Sequence, residues 1–151
     1  MADLLTHYVS SRIAGAGVRD RATLVLFSLG VLLPDLLGKP IGELRWSPPL
    51  LATPSHTVFG LIFACGAVSL FFAAPIRFRA FWALYLGSML HLLLDWMKDY
   101  LGRGAVVWLH PFSTRSWEAG LYRSEDVFYL LPANLGILIL LWVLGRKRKL
   151  S

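Results

Sequence analysis

His91 and Asp95 stand four residues apart in Gly87-x-x-x-His91-x-x-x-Asp95. On a helix that spacing puts both side chains on one face, a turn apart. Two such side chains can reach one cation, as paired ligands do in helix-borne zinc motifs. Four further residues of the same chemistry are spread along the chain: His7, Asp35 in Leu33-Pro34-Asp35, His56 and His110. Imidazole together with carboxylate is what Zn²⁺ or a similar divalent ion takes. Each of the six lies near the end of an apolar stretch, at what reads as a membrane boundary. Ionisable residues are costly there and mark function. Their joint arrangement, rather than any single short motif, points to a metal site at one end of a helical bundle. Asp35, His56, His91 and Asp95 are expected to meet in one coordination shell.

The elements that must position them follow from composition and hydropathy. The 151 residues are 56% hydrophobic and 16% charged, with mean hydropathy +0.60. That exceeds what a soluble domain needs and predicts an all-α, integral membrane bundle of four to five helices. A single domain, 1–151, is expected at this length. Residues 57–75 read as the clearest span, long enough for a ~30 Å hydrocarbon core. Thr53 is its predicted N-cap, with Pro54 at the first helical position and His56 in the first turn. Residues 80–97 form the next span and carry His91 and Asp95 near their far end. Residues 127–144 form the last, with Pro132 and Asn134 inside it. A shorter helix, 22–37, is expected to stop at Pro34-Asp35, because proline removes a helical hydrogen bond. Residues 3–17 form a fifth helix, interrupted by Ser10, Ser11 and Arg12 and loosened by Gly15 and Gly17.

Basic residues set the orientation. Arg146-Lys147-Arg148-Lys149 directly follows an apolar segment, which fits a cytoplasmic anchor. The formal charge of +6 is therefore no nucleic-acid patch, and no nucleic-acid partner is expected. With a cytoplasmic C-terminus, alternating spans put Arg19, Arg21, Arg77, Arg79 and the terminal run inside, against Asp20 alone. The acids Asp3, Asp35, Glu43, Asp95, Asp99, Glu118, Glu125 and Asp126 lie on the other side. All four histidines and both motif aspartates then share the non-cytoplasmic end of a protein of the inner or plasma membrane. Cys65 is alone within an apolar run, which leaves no disulfide or zinc-thiolate framework. Residues 1–20 lack a basic leader region, and Asp3 and His7 interrupt them, so no cleavable signal is expected. The loops 38–52 and 98–126 hold Trp46, Trp108 and Trp117, whose amphipathic rings suit the membrane–water interface.

A metal in such a site would activate a bound water. A divalent metal would lower the pKa of water towards ~7, with Asp35 or Asp95 doubling as general base. Lys98, Arg103 and Arg115 are placed near the mouth, where they would orient a phosphate or contact lipid headgroups. Glu118, Glu125 and Asp126 are surface acids or orient the histidines. Arg12 is expected against a carboxylate or snorkelling. His110 reads two ways: a general acid, for which an unperturbed pKa of ~6.5 is suited, or an interfacial ring among Trp108, Phe112 and Trp117.

Thr6-His7, Gly30-x-x-x-Pro34-Asp35, Ser55-His56-Thr57 and Gly87-x-x-x-His91-x-x-x-Asp95 together resemble the YdjM-type membrane-bound metal-dependent hydrolases. Trp108-x-His110-Pro111-Phe112-Ser113 looks like the aromatic-proline segment that follows the last motif in that family. More distantly the pattern is similar to zinc-dependent phospholipase C. The resemblance covers roughly residues 4–115. It implies that Asp35, His56, His91 and Asp95 form one complete two-His, two-Asp site, and that His7 holds a second metal with Asp95 bridging. It also implies a phosphoester or lipid-like substrate. The chain departs from the pattern at Leu37, where many members have a second acid, and at Leu51 and Ala52, where they have histidine and arginine. A site of one or at most two metals is the expectation.

Two other functions compete with the hydrolase: a non-catalytic membrane scaffold with a structural metal, and a metal or proton transporter. Segments 61–72 and 137–144 are apolar and the cytoplasmic half has no second His or Asp set, which counts against transport.

Overall fold

Asp20 starts the helix that carries Asp35. Its carboxylate accepts from the amides of Ala22 (3.3 Å) and Thr23 (3.1 Å), a standard N-cap. The Thr23 hydroxyl and amide hold this carboxyl below the usual carboxylate range. The computed structural model describes residues 2–43, 53–99 and 107–150. Within them the chain is all-helical: α1 (Ala2–Ala14), α2 (Arg21–Glu43), α3 (Val58–Ser69), α4 (Ala74–Met97) and α5 (Val127–Leu150), with 3₁₀ turns at Thr53–His56 and Ser124–Asp126.

α2 does not stop at Pro34. It runs through Pro34 and Pro40 to Glu43. A proline inside a helix lacks the N–H that would bond to the carbonyl four residues back, here Gly30. That carbonyl has found another donor: the Ser88 hydroxyl of α4 lies 2.9 Å away. Ser88 comes this close because α2 and α4 touch backbone to backbone. A Cβ on Gly30 would overlap the Leu84 carbonyl, and a Cβ on Gly87 would overlap the Phe27 carbonyl. Two residues without side chains thus set the crossing, and the serine beside one of them repairs the proline's lost hydrogen bond.

α3 departs from its predicted span. It has 12 residues, about 18 Å at 1.5 Å each, rather than the length of 57–75. Thr57, not Thr53, caps it, its hydroxyl accepting from the Gly60 amide at 3.0 Å. Thr53 and Pro54 instead belong to the preceding 3₁₀ turn, where the Pro54 carbonyl accepts from the Thr57 hydroxyl (3.1 Å). At the other end the run Leu70 to Ala73 forms the link to α4, and Pro75 sits in the first turn of α4. Proline is well suited to a first turn because its missing N–H is an orphan there anyway. α4 therefore begins six residues earlier than the span 80–97, and α5 continues past 144 through the basic run.

The helices alternate in direction. α2 and α4 run parallel: Asp20 pairs with Arg79 (3.2 Å) at one end, and Asp35 lies beside His91 at the other. α3 runs against α4, with Leu61 packed on Leu92 and Cys65 beside Ser88. α1 has His7 against Asp95 and Gly15 against Leu24, so it runs against α2. α5 packs on α1, Asn134 donating to the Ser10 hydroxyl at 3.3 Å.

Polar side chains are buried beside the apolar core of Leu61, Leu84 and Leu92, and large apolar ones are exposed. Thr6, His7, Ser11, Ser28, Asp35, Ser88, His91, Asp95 and Lys98 are buried, whereas Phe63, Phe71, Phe78 and Tyr129 are at least three-quarters exposed. By length and composition, 21–40 and 74–97 are apolar enough to cross a membrane. The crossing yields a test. Gly30→Ala and Gly87→Ala should each lower the thermal midpoint of the detergent-solubilised protein, as overpacking costs about 1–3 kcal/mol. Gly136→Ala, whose Cβ would meet nothing within 4 Å, should leave the midpoint unchanged or raise it. Circular dichroism melts of the three variants check this, and equal effects would argue against a backbone contact at the crossing.

Candidate metal centre

Asp35 lies five residues past Gly30 and His91 four past Gly87, so parallel helices carry them to the same level. Asp95 is one turn further on α4, and helical side chains lean back towards the N-terminus, which returns its carboxylate to His91. His91 Nε2 lies 3.1 Å from Asp95 Oδ2 and 3.9 Å from Asp35 Oδ1. His56 Nε2 is 3.7 Å from Asp35 Oδ1 and 3.8 Å from Asp95 Oδ2. A tetrahedral shell with bonds of ~2.0–2.2 Å has ligand–ligand edges of about 3.3–3.6 Å. One of these edges is shorter than that range and three are longer, and the four residues expected in one shell divide between two groups of three, with Asp95 outside the group that holds Asp35 and His56.

His56 is delivered by the 3₁₀ turn rather than by a helix. Its ring occupies space left by Gly38, where a Cβ would run into Ser55 Oγ and approach His56 Nδ1 to 3.2 Å. Ser55 Oγ stands 2.9 Å from His56 Nδ1, which turns Nε2 towards the carboxylates. Orienting one ring nitrogen with a hydrogen bond while the other ligates is how proteins aim metal-binding histidines. His91 is held differently. Its ring is buried against His7, with centroids 4.4 Å apart and planes at 32°. Neither of its nitrogens makes a well-oriented hydrogen bond among the described residues, even though Nε2 is 3.1 Å from a carboxylate. A buried, unsatisfied imidazole costs about 1–3 kcal/mol unless something takes its lone pair. A cation that took such a lone pair would remove that cost.

Two triads emerge whose ligand atoms all lie within 4.8 Å: Asp35, His56 and His91, and His7, His91 and Asp95. His7 Nε2 approaches Asp95 Oδ1 at 3.4 Å, on the opposite side of the carboxylate from His56 and His91. The buried His/Asp groups can hold a metal ion.

Each carboxylate divides its two oxygens in the same way. Asp35 directs Oδ1 at the histidines and gives Oδ2 to the Lys39 ammonium, one turn on. Asp95 directs Oδ2 at the histidines and has the Lys98 ammonium 2.7 Å from Oδ1. Lys39 escaped the sequence reading, although its i, i+4 spacing from Asp35 was a usable signal. Lys98 was placed at the mouth as a phosphate contact; instead it is 1% exposed and bound to a ligand carboxylate. Its spacing of three from Asp95 brings it back over the helix end, and burial holds it there.

The segment after α4 is a strap that closes this end. The last four carbonyls of a helix lack intrahelical donors. Here every one of them is met: Leu94 O by the Tyr122 hydroxyl (2.9 Å), Asp95 O by the Lys98 amide (3.1 Å), Trp96 O by the Ala119 amide (2.7 Å) and Met97 O by the Leu121 amide (2.8 Å). The strap also supplies Trp108 O to the first amide of α3, Val58 N, at 3.1 Å. Between strap, α3 and α4 lies an apolar cavity of about 430 Å³ lined by Val58, Leu93, Trp96, Trp108, Leu109 and Trp117. His110 is in neither triad; it precedes Pro111 through a cis peptide, and its amide closes a turn on Val107 O (3.3 Å). Arg115 is exposed on the strap, its amide bonded to Ser113 Oγ, and Arg103 lies outside the described residues. Arg12 lines a small cleft with Tyr8, Val25, Ser28, Leu29 and Leu32, none of them a carboxylate.

The two lysines should differ sharply on removal. Lys98→Met strands a buried carboxylate and should cost about 3–5 kcal/mol. Lys39→Met also strands a buried carboxylate, but the ammonium it removes is half exposed and screened by solvent, so it should cost less than Lys98→Met. Denaturation in chelator-treated detergent checks the pair, and equal losses would contradict the burial difference. Comparison with protein families, with characterised proteins and with solved structures finds no match for this chain, so its functional reading rests on the geometry of the site.

Proposed function

We propose that the chain is an integral membrane protein that binds a divalent cation at the non-cytoplasmic end of its helices and hydrolyses a phosphoester or lipid-like substrate there. One observation carries this reading: His56 and His91 converge with Asp35 and Asp95 at one end of the bundle. Two nitrogens and two carboxylate oxygens suit Zn²⁺. The exposed large apolar side chains support the membrane, since apolar surface of this extent is a liability in water. The alternation of helix direction agrees with a cytoplasmic C-terminus, because it leaves Arg19, Arg21, Arg77 and Arg79 at the end opposite the histidines. The residues of the cluster are those that carry the resemblance to the YdjM-type hydrolases.

A bound divalent cation supplies Lewis acidity to a phosphoryl or carbonyl oxygen and acidifies water towards neutral pH. The chain supplies the rest. Its two carboxylates and two ammonium groups cancel, so a loaded site carries net positive charge in a poorly screened place and favours an anion. Lys39, half exposed, can leave Asp35 and meet a phosphate at the entrance. Asp35 Oδ2, released by that move, becomes a proton acceptor beside the cation site. The tryptophan-lined cavity at the same end offers room for an acyl chain.

Charge cancellation also favours a second reading, a scaffold whose metal is structural, because the site is balanced without any catalytic demand. Metal analysis and a panel of phosphodiester and acyl-ester lipids separate the two. The expected outcome is a stoichiometric divalent metal, hydrolysis lost with chelator and restored by Zn²⁺, and loss of both in Asp35→Asn and His91→Gln. Bound metal without turnover on any substrate supports the scaffold. A protein that holds no divalent metal overturns both.

A further inference from the structure

The two halves of the cluster differ in what already occupies them. On the Asp35 side the competing cation is Lys39, whose side chain is 49% exposed and free to swing into solvent. On the His7 side it is Lys98, whose side chain is 2% exposed and whose ammonium lies 2.7 Å from the same Asp95 Oδ1 that His7 approaches at 3.4 Å. Lys98 has nowhere to go. Its amide is tied to Asp95 O, its backbone pairs with Tyr122, and the strap closes over the helix end beside it.

We infer that the Lys98 ammonium is a resident cation filling the His7 half of the cluster, so that the site takes one divalent ion, in the Asp35–His56–His91 half, with His7 as a positioning residue rather than a ligand. This rests on the metal-site reading above. A divalent ion on Asp95 Oδ1 would share that oxygen with a buried ammonium, and no solvent stands ready to screen the two like charges. An ion on the other side meets Asp35 and the imidazoles of His56 and His91, with Asp95 Oδ2 3.1 Å from His91 Nε2, and displaces at most the mobile Lys39. His7 then has a different task. Its ring lies against His91 at 4.4 Å and its Nε2 faces Asp95 Oδ1, so it fixes the attitude of two ligands without donating a lone pair to the ion. A triad that looks complete by distance, His7, His91 and Asp95, is filled by the chain's own charge.

Cobalt loading of the full-length protein in detergent tests this, with metal counted by mass spectrometry and the ligand set read from the visible d–d bands. One Co²⁺ per chain is expected in wild type and in His7→Gln, with the same band positions and intensity. The affinity of His7→Gln should fall by no more than about 100-fold, the range for groups that orient a ligand. His56→Gln should change the bands or abolish them. Lys98→Met, if it folds, should take two Co²⁺, and adding His7→Gln to it should restore one. Two Co²⁺ in wild type, altered bands in His7→Gln, or a folded Lys98→Met that still takes one would overturn the inference while leaving the metal site standing. Should Lys98→Met not fold, the His7→Gln spectrum decides alone. A wild-type chain that takes no Co²⁺ overturns the metal reading itself.

Discussion

The contact between the backbones of α2 and α4 at Gly30 and Gly87 is the constraint on which the site depends. Asp35 is about 7.5 Å beyond Gly30 along its helix axis, and His91 about 6 Å beyond Gly87. Parallel helices locked at the glycines therefore bring carboxylate and imidazole to one height. A side chain at either glycine would push the helices apart by roughly the size of a methyl group, enough to open ligand edges of 3.1–3.9 Å beyond what one cation can span. The same approach puts Ser88 on the carbonyl that Pro34 leaves without a donor. Glycine, proline and aspartate in Gly30-x-x-x-Pro34-Asp35 are thus one device: close approach, a freed carbonyl for the neighbouring helix to hold, and the ligand just past it.

That device explains what sequence patterns could and could not reveal. The helix number was readable from apolar runs, and the gathering of His7, His56 and His91 at one end from where those residues fall along them. The end of α2 was not, because proline stops a helix only when nothing replaces the lost bond, and the replacement comes from 54 residues further along the chain. The start of α3 was missed for a related reason. Thr53 and Thr57 both have the chemistry of an N-cap, and only the Thr57–Gly60 hydrogen bond and the turn on Pro54 choose between them. Lys98 was legible as a charge but not as a buried one. A lysine past a helix end ordinarily faces water, and its burial depends on the strap, whose pairing with α4 joins segments more than twenty residues apart.

The lysines also recast what the cluster is in electrostatic terms. Two aspartates and three histidines suggest an anionic hole waiting for cations, costly to bury in a low-dielectric bundle. The lysines supply two positive charges, and the pairing is local in sequence on both sides, Asp35 with Lys39 and Asp95 with Lys98. The fold can therefore assemble this end without a metal, which separates the stability of the bundle from its loading. Whatever binds there acts on a framework whose aspartates and lysines already cancel.

Exposure follows the same asymmetry. His7, Asp35, His91, Asp95 and Lys98 have side chains 8% exposed or less, whereas His56 is 23% and Lys39 49% exposed. The two open groups flank Asp35, so among the described residues the Asp35 side of the cluster is the more exposed. His56 is also the one histidine of the cluster not carried by an α-helix, held instead by Ser55, the space at Gly38 and the Thr57 cap that fixes the start of α3. Asp35, His91 and Asp95 are held on helices, and His56 on a turn. Lys39 and His56 lie on the exposed side of the cluster, and His7 and Lys98 on its buried side, at the far oxygen of Asp95.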